Sequence, residues 1–175
     1  MGDTVYIAKE SDALEPRVAA SPETVKKMSA LGLDVIVQKG AGVGSQISDE
    51  AFKAAGARIG TAADAKKADV VLRVRRPSEA EIKSLKSGAI VLAQMDPHGN
   101  EKALAALAKA GVTAFAMELM PRITRAQSMD VLSSQANLAG YQAVIEAAHT
   151  FGRAMPMMMT AAGTVAAAKV FVMGA

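Results

Sequence analysis

The sequence predicts an α/β fold in which a mainly parallel sheet lies between two layers of helices. Three observations predict it. Short apolar runs alternate with segments of helical pattern, and Gly, Pro and polar residues separate them. Several runs are apolar at nearly every position, which is typical of strands that helices cover on both faces. Repeated strand–helix units form layered sheets with right-handed crossovers, so we expect a three-layer, Rossmann- or flavodoxin-like domain.

The N-terminal two thirds of the chain contain five predicted strands and three predicted helices. The helix signals are specific. In Ser21-Pro22-Glu23, for example, Ser is a good N-cap, Pro takes the first helical position and an acid lies in the first turn. The predicted strands cover 5–8, 34–38, 69–74, 89–93 and 112–116, and the predicted helices cover 21–32, 48–56 and 100–110.

The pattern changes after Pro121. Residues 128–151 contain a single Gly and no Pro, which predicts one long helix leaving the first domain. A turn or short helix is predicted for 155–160 and a strand for 168–173. A buried strand followed at once by Gly, here Gly174, is how a Rossmann phosphate-binding turn begins. We therefore expect an N-terminal α/β domain over 1–127. Over 128–175 we expect a linking helix and the first strand of a truncated dinucleotide-binding domain.

Composition excludes several classes of function. The 175 residues are 51% hydrophobic, enough for a sizeable core, and only 3% aromatic, so small aliphatic side chains and Met must fill it. The sequence has no Cys, which excludes disulfides and thiolate metal sites. A net charge of +3 without a long basic run argues against nucleic-acid binding. The uncharged stretch 154–168 is too short to span a bilayer and contains Pro and Gly, so we expect no membrane insertion by this segment.

The glycine-rich loop Gly40-Ala41-Gly42-Val43-Gly44 follows a predicted strand and suggests phosphate binding. It matches G-x-G-x-x-G poorly, because Gln46-Ile47 follow and no helix starts at the second Gly. A tight, close-packed turn is the favoured interpretation.

The two His residues do not form a catalytic or metal site in the sequence. No Ser/His/Asp or metal-ligand spacing includes His98 or His149, so no metal is predicted. His98 lies in the loop 96–100 after a predicted strand, where α/β proteins bind ligands, but turn formation explains the same residues.

The segment 118–135 is the densest in functional groups. Arg122, Gln127, Asp130 and Ser133 supply a guanidinium, an amide, a carboxylate and a hydroxyl around a predicted helix start, and Asp130 and Ser133 share one face of its first turn. An amide-bearing ring such as nicotinamide needs donors for its carbonyl oxygen and acceptors for its N–H groups. The alternative is that Asp130 or Ser128 only caps the helix, which would explain one residue of the set.

The segment 117–164, with Glu15-Pro16-Arg17-Val18-Ala19-Ala20-Ser21-Pro22-Glu23 and the glycine-rich loop, closely resembles the NAD(H)-binding subunit of proton-translocating transhydrogenases. The resemblance runs the length of the chain. It places the chain in the wider alanine dehydrogenase/transhydrogenase N-terminal domain family.

The resemblance implies a homodimeric subunit of two Rossmann-like domains that binds NADH in the cleft between them. By position, Arg122, Gln127, Asp130 and Ser133 would meet the nicotinamide, with Gln127 and Asp130 as the catalytic pair. Gly174 would begin the pyrophosphate-binding turn.

The resemblance also implies partners and a location. Hydride would pass to NADP⁺ on a separate domain of the partner subunit, and proton movement through membrane-spanning subunits would drive the reaction. The chain would then be peripheral, at the cytoplasmic face of the bacterial inner membrane. The 175 residues alone are expected to be inactive and to bind NADH weakly or not at all, because they lack the pyrophosphate-binding turn.

Two other functions stay open. An alanine dehydrogenase-type enzyme holds a keto acid with Arg and Lys and transfers its proton with His. Here Arg17 matches the Arg, whereas Arg73 is assigned to the Lys position and Asp96 to the His position. Without that His, proton transfer to a keto acid has no agent, which favours transhydrogenase. The chain could instead be a non-catalytic oligomerisation module, for which the Met-rich run 155–159 would suit an adaptable interface.

Overall fold

A computed structural model describes residues 2–174. The chain divides into two compact units, Met1–Ser128 and Met129–Ala175, and each is described by itself.

The first unit contains one six-stranded sheet in which every neighbouring pair of strands is parallel. The strand order is β3-β2-β1-β4-β5-β6, so the order reverses between β1 and β4. All five predicted strands are present with bounds within one residue of the prediction, and β3 is an additional one. The strands are β1 Thr4–Ile7, β2 Asp34–Gln38, β3 Arg58–Gly60, β4 Val70–Arg75, β5 Ile90–Gln94 and β6 Thr113–Ala116.

The helices of this unit begin where capping residues allow it. Ser21 caps the first helix: its hydroxyl accepts from Thr24 N, and its own N–H donates to Thr24 Oγ1 at 2.8 Å. The predicted start at Ser21-Pro22 is therefore confirmed. The helices are α1 Pro22–Ala30, α2 Asp49–Ala54, α3 Glu79–Ile82 and α4 Glu101–Lys109, with 3₁₀ turns at Val43–Ser45, Ala62–Lys67, Met117–Leu119 and Thr124–Met129.

Two hydrophobic clusters pack on opposite faces of the sheet, as expected for strands whose side chains alternate between faces. Together they confirm the three-layer α/β fold. The first cluster includes Tyr6, Ile36, Val71, Val91, Ile82 of α3 and Leu107 of α4, and the second includes Ile7, Val35, Val37, Val25 of α1 and Phe52 of α2.

The second unit consists of helix α5, Val131–Phe151, and a two-stranded antiparallel hairpin, β7 Met158–Thr160 and β8 Gly163–Val165. The long helix is confirmed, although it starts three residues later than predicted, because Asp130 is its N-cap. The prediction of a turn or short helix at 155–160 was wrong. Thr160 Oγ1 accepts from Ala162 N, and this local bond stabilises a turn that folds the chain back on itself. No helix among residues 2–174 combines the length and apolar character needed to cross a membrane.

The predicted strand over 168–173 is also wrong. These residues have no regular secondary structure, and Val170, Phe171 and Met173 are exposed. A strand is stabilised by a hydrogen-bonded neighbour, and none of the described strands pairs with this segment. The observed hydrogen bond is an isolated one from Ala168 N to Met155 O. Assignment of 128–175 to a dinucleotide-binding domain stays a prediction.

Candidate functional site

A crevice opens at the carboxyl ends of β1, β4, β5 and β6, where the strand order reverses. Open parallel sheets bind ligands at this position because the loops on either side of the reversal separate there. The crevice has a volume of about 500 Å³. Its lining residues are Ser11, Asp12, Arg75, Arg76, Gln94, Asp96 and Glu118.

A charged cluster lies beside the crevice. The buried carboxylate of Glu15 accepts two hydrogen bonds from the Arg17 guanidinium, from Nε to Oε1 at 2.6 Å and from Nη2 to Oε2 at 2.6 Å. Arg75 Nε donates to the same Oε2 at 2.9 Å. Glu15 therefore links Arg17 to Arg75, which lines the crevice, and not to Arg73. Bidentate pairing fixes the plane of the Arg17 guanidinium as well as its position.

The pKa of the Glu15 carboxyl is lowered from 4.5 to about 2, because the hydrogen bonds from Arg17 outweigh the effect of burial.

Unfolding in acid must then add a proton to the Glu15 carboxylate. Between about pH 4.5 and pH 2 we expect the free energy of unfolding to fall as the pH falls, and Glu15→Gln to remove part of that slope. Denaturant titrations at several pH values measure it. Glu50→Gln is the control, because that carboxylate is exposed and 4.0 Å from Lys53. The prediction would be contradicted if the free energy of unfolding fell equally steeply with pH in the unsubstituted protein, Glu15→Gln and Glu50→Gln.

The glycine-rich loop is a close-packed turn, as the sequence favoured. A Cβ at Gly42 would lie 2.6 Å from the Ile47 carbonyl oxygen, and one at Gly44 would lie 2.5 Å from the Pro16 carbonyl oxygen. Ser45 Oγ donates to that same oxygen at 2.9 Å. The loop therefore holds the backbone that carries Arg17. Close packing explains Gly42 and Gly44, and a φ of 72° explains Gly40, so none of the three glycines requires a phosphate.

Asp96 is held in the left-handed backbone region, with φ of 46°. Non-glycine residues seldom adopt this conformation, and it costs about 1–3 kcal/mol unless neighbours support it. The support is on three sides. The Glu118 carboxylate accepts from the N–H groups of Met95 and Asp96, Asn100 Nδ2 donates to Asp96 O at 2.9 Å, and Arg76 Nη1 donates to the carbonyls of Met95 and Asp96. The Asp96 loop is thus fixed before any ligand binds.

His98, Arg73 and Arg17, which the sequence analysis named, lie outside the crevice lining, although Arg17 is linked to the lining residue Arg75 through Glu15. His98 is exposed in the loop after β5, and Arg73 is buried in β4 with a side chain 3% exposed. Arg73 pairs with Glu10 and Glu81 instead of facing the crevice. The sequence analysis assigned no ligand-binding role to Arg75, Arg76 or Glu118, although each ends or follows a strand on the carboxyl side of the sheet.

The four predicted nicotinamide residues are divided between the two units. Arg122 and Gln127 are exposed in the first unit, Arg122 before and Gln127 within the 3₁₀ turn Thr124–Met129. In the second unit, Asp130 caps α5: its Oδ1 accepts from Leu132 N at 2.9 Å and from Ser133 N at 3.0 Å. Its Oδ2 accepts from Ser133 Oγ at 2.7 Å. Asp130 therefore does serve as an N-cap, and it also fixes the Ser133 hydroxyl.

Gly174 has φ of 76°, a conformation that favours glycine in turns. The strand that was expected to lead into it is not formed. Its role in binding pyrophosphate stays a prediction.

Comparison with known proteins identifies the relatives of this chain. It is 55% identical over 177 residues to an NAD(P) transhydrogenase subunit alpha of Rhodospirillum rubrum, covering 97% of this chain and 46% of that protein. It superimposes on the crystal structure of transhydrogenase from Sinorhizobium meliloti with a TM-score of 0.92 and 69% identity, covering 95% of this chain and 50% of that one. Alanine dehydrogenase 1 of Staphylococcus aureus is 32% identical over 145 residues, which is 83% of this chain and 38% of the enzyme.

The chain thus spans about half the length of the transhydrogenase relatives it matches. A family profile covers most of the first unit and the start of α5, residues 6–139, including the glycine-rich loop, the Glu15–Arg17 pair and the crevice. The chain belongs to the alanine dehydrogenase/PNT N-terminal domain family.

Proposed function

We propose that this chain is a segment of the NAD(H)-binding subunit of a proton-translocating NAD(P) transhydrogenase, which transfers hydride between NADH and NADP⁺. The observation that carries the proposal is the chemistry of the crevice. Its lining contains Arg, Asp, Glu, Gln and Ser, but neither His nor Lys, and Asp96 stands at the carboxyl end of β5. Higher identity to transhydrogenases than to an alanine dehydrogenase supports the same conclusion.

Hydride transfer between two nicotinamides does not need the group that the crevice lacks. Oxidation of an amino acid releases protons from nitrogen, so it requires a general base near neutral pH. Transfer of hydride from one nicotinamide to another changes no oxygen or nitrogen protonation state. Orientation and fixed hydrogen bonds then provide the catalysis.

The residues on either side of the start of α5 would contact the carboxamide of NAD(H). When bound, NADH would supply the hydride from its dihydronicotinamide ring. Arg122 would donate to the carboxamide oxygen. The Ser133 hydroxyl donates to Asp130, and a hydroxyl that donates still has lone pairs that accept from an amide N–H. Asp130 would hold the helix start and orient that hydroxyl, whereas Gln127 would reach towards the second nucleotide. Gly174 would contribute to the pyrophosphate turn.

The proposed subunit is a homodimer that works with an NADP-binding subunit and a membrane-spanning subunit, at the cytoplasmic face of the bacterial inner membrane. The second unit supports an assembly of this kind, because α5 exposes Leu138, Tyr141 and Val144 and the hairpin exposes Met158 and Met159. A helix with apolar residues on all sides is normally covered.

An alanine dehydrogenase-type activity is the second candidate, and the Glu15–Arg17–Arg75 cluster is the observation that favours it. Arg75 lines the crevice, Arg17 is linked to it through Glu15, and two neighbouring guanidiniums are suited to a keto-acid carboxylate. In the complete protein we expect transfer from NADH to an NADP⁺ analogue and no oxidation of alanine. Arg17→Ala should leave NADH binding largely unchanged, because Arg17 is occupied by Glu15. If the protein oxidised alanine and Arg17→Ala abolished that activity, the second candidate would be correct.

A further inference from the structure

A small pocket lies in the first unit on the face of the sheet covered by α3 and the 3₁₀ turn Ala62–Lys67. It is separate in its lining from the crevice and has a volume of about 80 Å³. Its polar lining residues are Tyr6, Gln38, Arg73, Glu81 and Ser84, and its apolar ones are Ala8, Ala62, Ala65, Val71, Pro77 and Leu85.

The guanidinium of Arg73 lines this pocket and is only partly satisfied by the protein. Its Nη1 lies 2.6 Å from Glu81 Oε1, whereas its Nη2 is 3.5 Å from Glu10 Oε2 without hydrogen-bond geometry. No described residue accepts a hydrogen bond from Nε or Nη2. Buried donors on a charged group are costly to leave unpaired. A ligand in the pocket would remove this cost.

The charges of the pocket determine what kind of ligand it accepts. Glu10 and Glu81 both pair with Arg73, so two carboxylates face one guanidinium and an added anion would be repelled. A cation could not accept hydrogen bonds from the two Arg73 nitrogens that lack a protein acceptor. The ligand must therefore be neutral and small.

The ligand must also accept as well as donate. Tyr6 and Ser84 both line the pocket. Tyr6 Oη donates to Thr61 O at 3.1 Å and Ser84 Oγ donates to Glu81 O at 2.7 Å, so each hydroxyl oxygen keeps lone pairs that can accept a hydrogen bond. Burial raises the pKa of Tyr6 to about 12, so the phenol is neutral at physiological pH. The ligand must accept hydrogen bonds from Arg73 and donate them to phenol, hydroxyl or carboxylate oxygens. Water has this hydrogen-bonding pattern.

We propose that this pocket is a structural hydration site in which ordered water molecules accept hydrogen bonds from Arg73 Nε and Nη2. The volume suits about two or three waters, since each occupies about 30 Å³ in the liquid.

Glu10, which pairs with Arg73, connects the pocket to the crevice. Glu10 accepts from Val74 N at 2.7 Å and from Arg75 N at 3.3 Å, and so holds the end of β4 from which Arg75 emerges.

High-resolution crystal structures of the full chain test the site. One is determined from an untreated crystal and one from a crystal soaked in sodium bromide. We expect solvent density within hydrogen-bond distance of Nε and Nη2, and no bromide anomalous signal there. An anomalous peak would show an anion site. A dry pocket, or rotation of Arg73 so that protein atoms accept both bonds, would equally overturn the proposal.

Arg73→Lys provides a second measurement in solution. It keeps the charge but replaces the three guanidinium nitrogens with one ammonium nitrogen. It should therefore lose the ordered water at Nε and reduce the folding equilibrium constant at least about tenfold, the scale of one hydrogen bond to a charged group. Arg58→Lys is the matched control, because Arg58 is 54% exposed and 3.5 Å from Asp64. Water-to-protein nuclear Overhauser effects at Tyr6 and Ser84 should weaken in Arg73→Lys and persist in Arg58→Lys. Unchanged effects in Arg73→Lys would contradict the proposal, and the crystallographic test does not depend on the stability of either variant.

Discussion

Gly44→Ala should lower the free energy of unfolding by about 1–3 kcal/mol, the cost of adding a methyl group where no space is available. The added Cβ would lie 2.5 Å from the Pro16 carbonyl oxygen and 2.8 Å from Pro16 Cα. Both are backbone atoms, so no side-chain rotation relieves the contact. The chain must move at Pro16 or in the glycine-rich loop, and either movement stretches the hydrogen bond from Ser45 Oγ.

A denaturant titration measures the loss, and Gly140→Ala is the matched control. Gly140 lies within α5 and has no heavy atom within 4 Å of an added Cβ, so the same substitution should raise stability by about 0.5–1 kcal/mol through helix propensity. Chemical shifts of Arg17 should change in Gly44→Ala and not in Gly140→Ala. A Gly44→Ala protein as stable as the unsubstituted one would contradict the close contact.

The glycine-rich loop shows how far sequence reasoning reaches. Its poor match to a phosphate fingerprint correctly favoured a tight turn, because turn chemistry is local. The sequence could not identify Pro16 as the partner of Gly44, since that contact depends on how two distant loops pack against each other. The pairing of Glu15 with Arg75 escaped prediction for the same reason.

Strands were predicted well where both faces carry apolar residues, as in Val35-Ile36-Val37 of β2. The missed strand β3 has three residues, Arg58-Ile59-Gly60, and its hydrogen bonds to β2 specify it rather than its own composition. The opposite error occurred at 168–173. An apolar run suggested a strand there, but composition supplies no neighbour for it to pair with.

The candidate site divides in the same way. The N-cap role of Asp130 follows from a local rule and was recognised as an alternative. That Asp130 also fixes the Ser133 hydroxyl required coordinates, because it depends on a side-chain rotamer. The left-handed backbone of Asp96 likewise had no sequence signal, since Glu118, Arg76 and Asn100 impose it from other elements.

Gln127→Asn is expected to reduce the rate of hydride transfer in the complete enzyme about 10²-fold, the effect of displacing a reacting group by about one ångström. We propose that the Gln127 amide bridges the two nucleotides. The amide has donors and an acceptor, and the side chain is exposed on the 3₁₀ turn Thr124–Met129. Direct transfer requires the two nicotinamide C4 atoms to approach within about 3–3.5 Å. Asn keeps the same chemical groups but is shorter by one methylene, so it would leave one nucleotide misplaced.

The loss should appear in transfer and not in binding, because Arg122 and Ser133 are proposed to hold the carboxamide of NAD(H). Stopped-flow transfer from NADH to an NADP⁺ analogue, measured beside equilibrium NADH binding, separates the two effects. Gln46→Asn is the control: it makes the same change in an exposed loop, at a left-handed position with φ of 58° that Asn tolerates. The reaction has no acid–base step, so Gln127 can contribute only by positioning the nucleotides. An unchanged transfer rate in Gln127→Asn would therefore show that Gln127 has no role in the mechanism. Equal losses of rate and affinity would instead assign Gln127 to NADH binding alone.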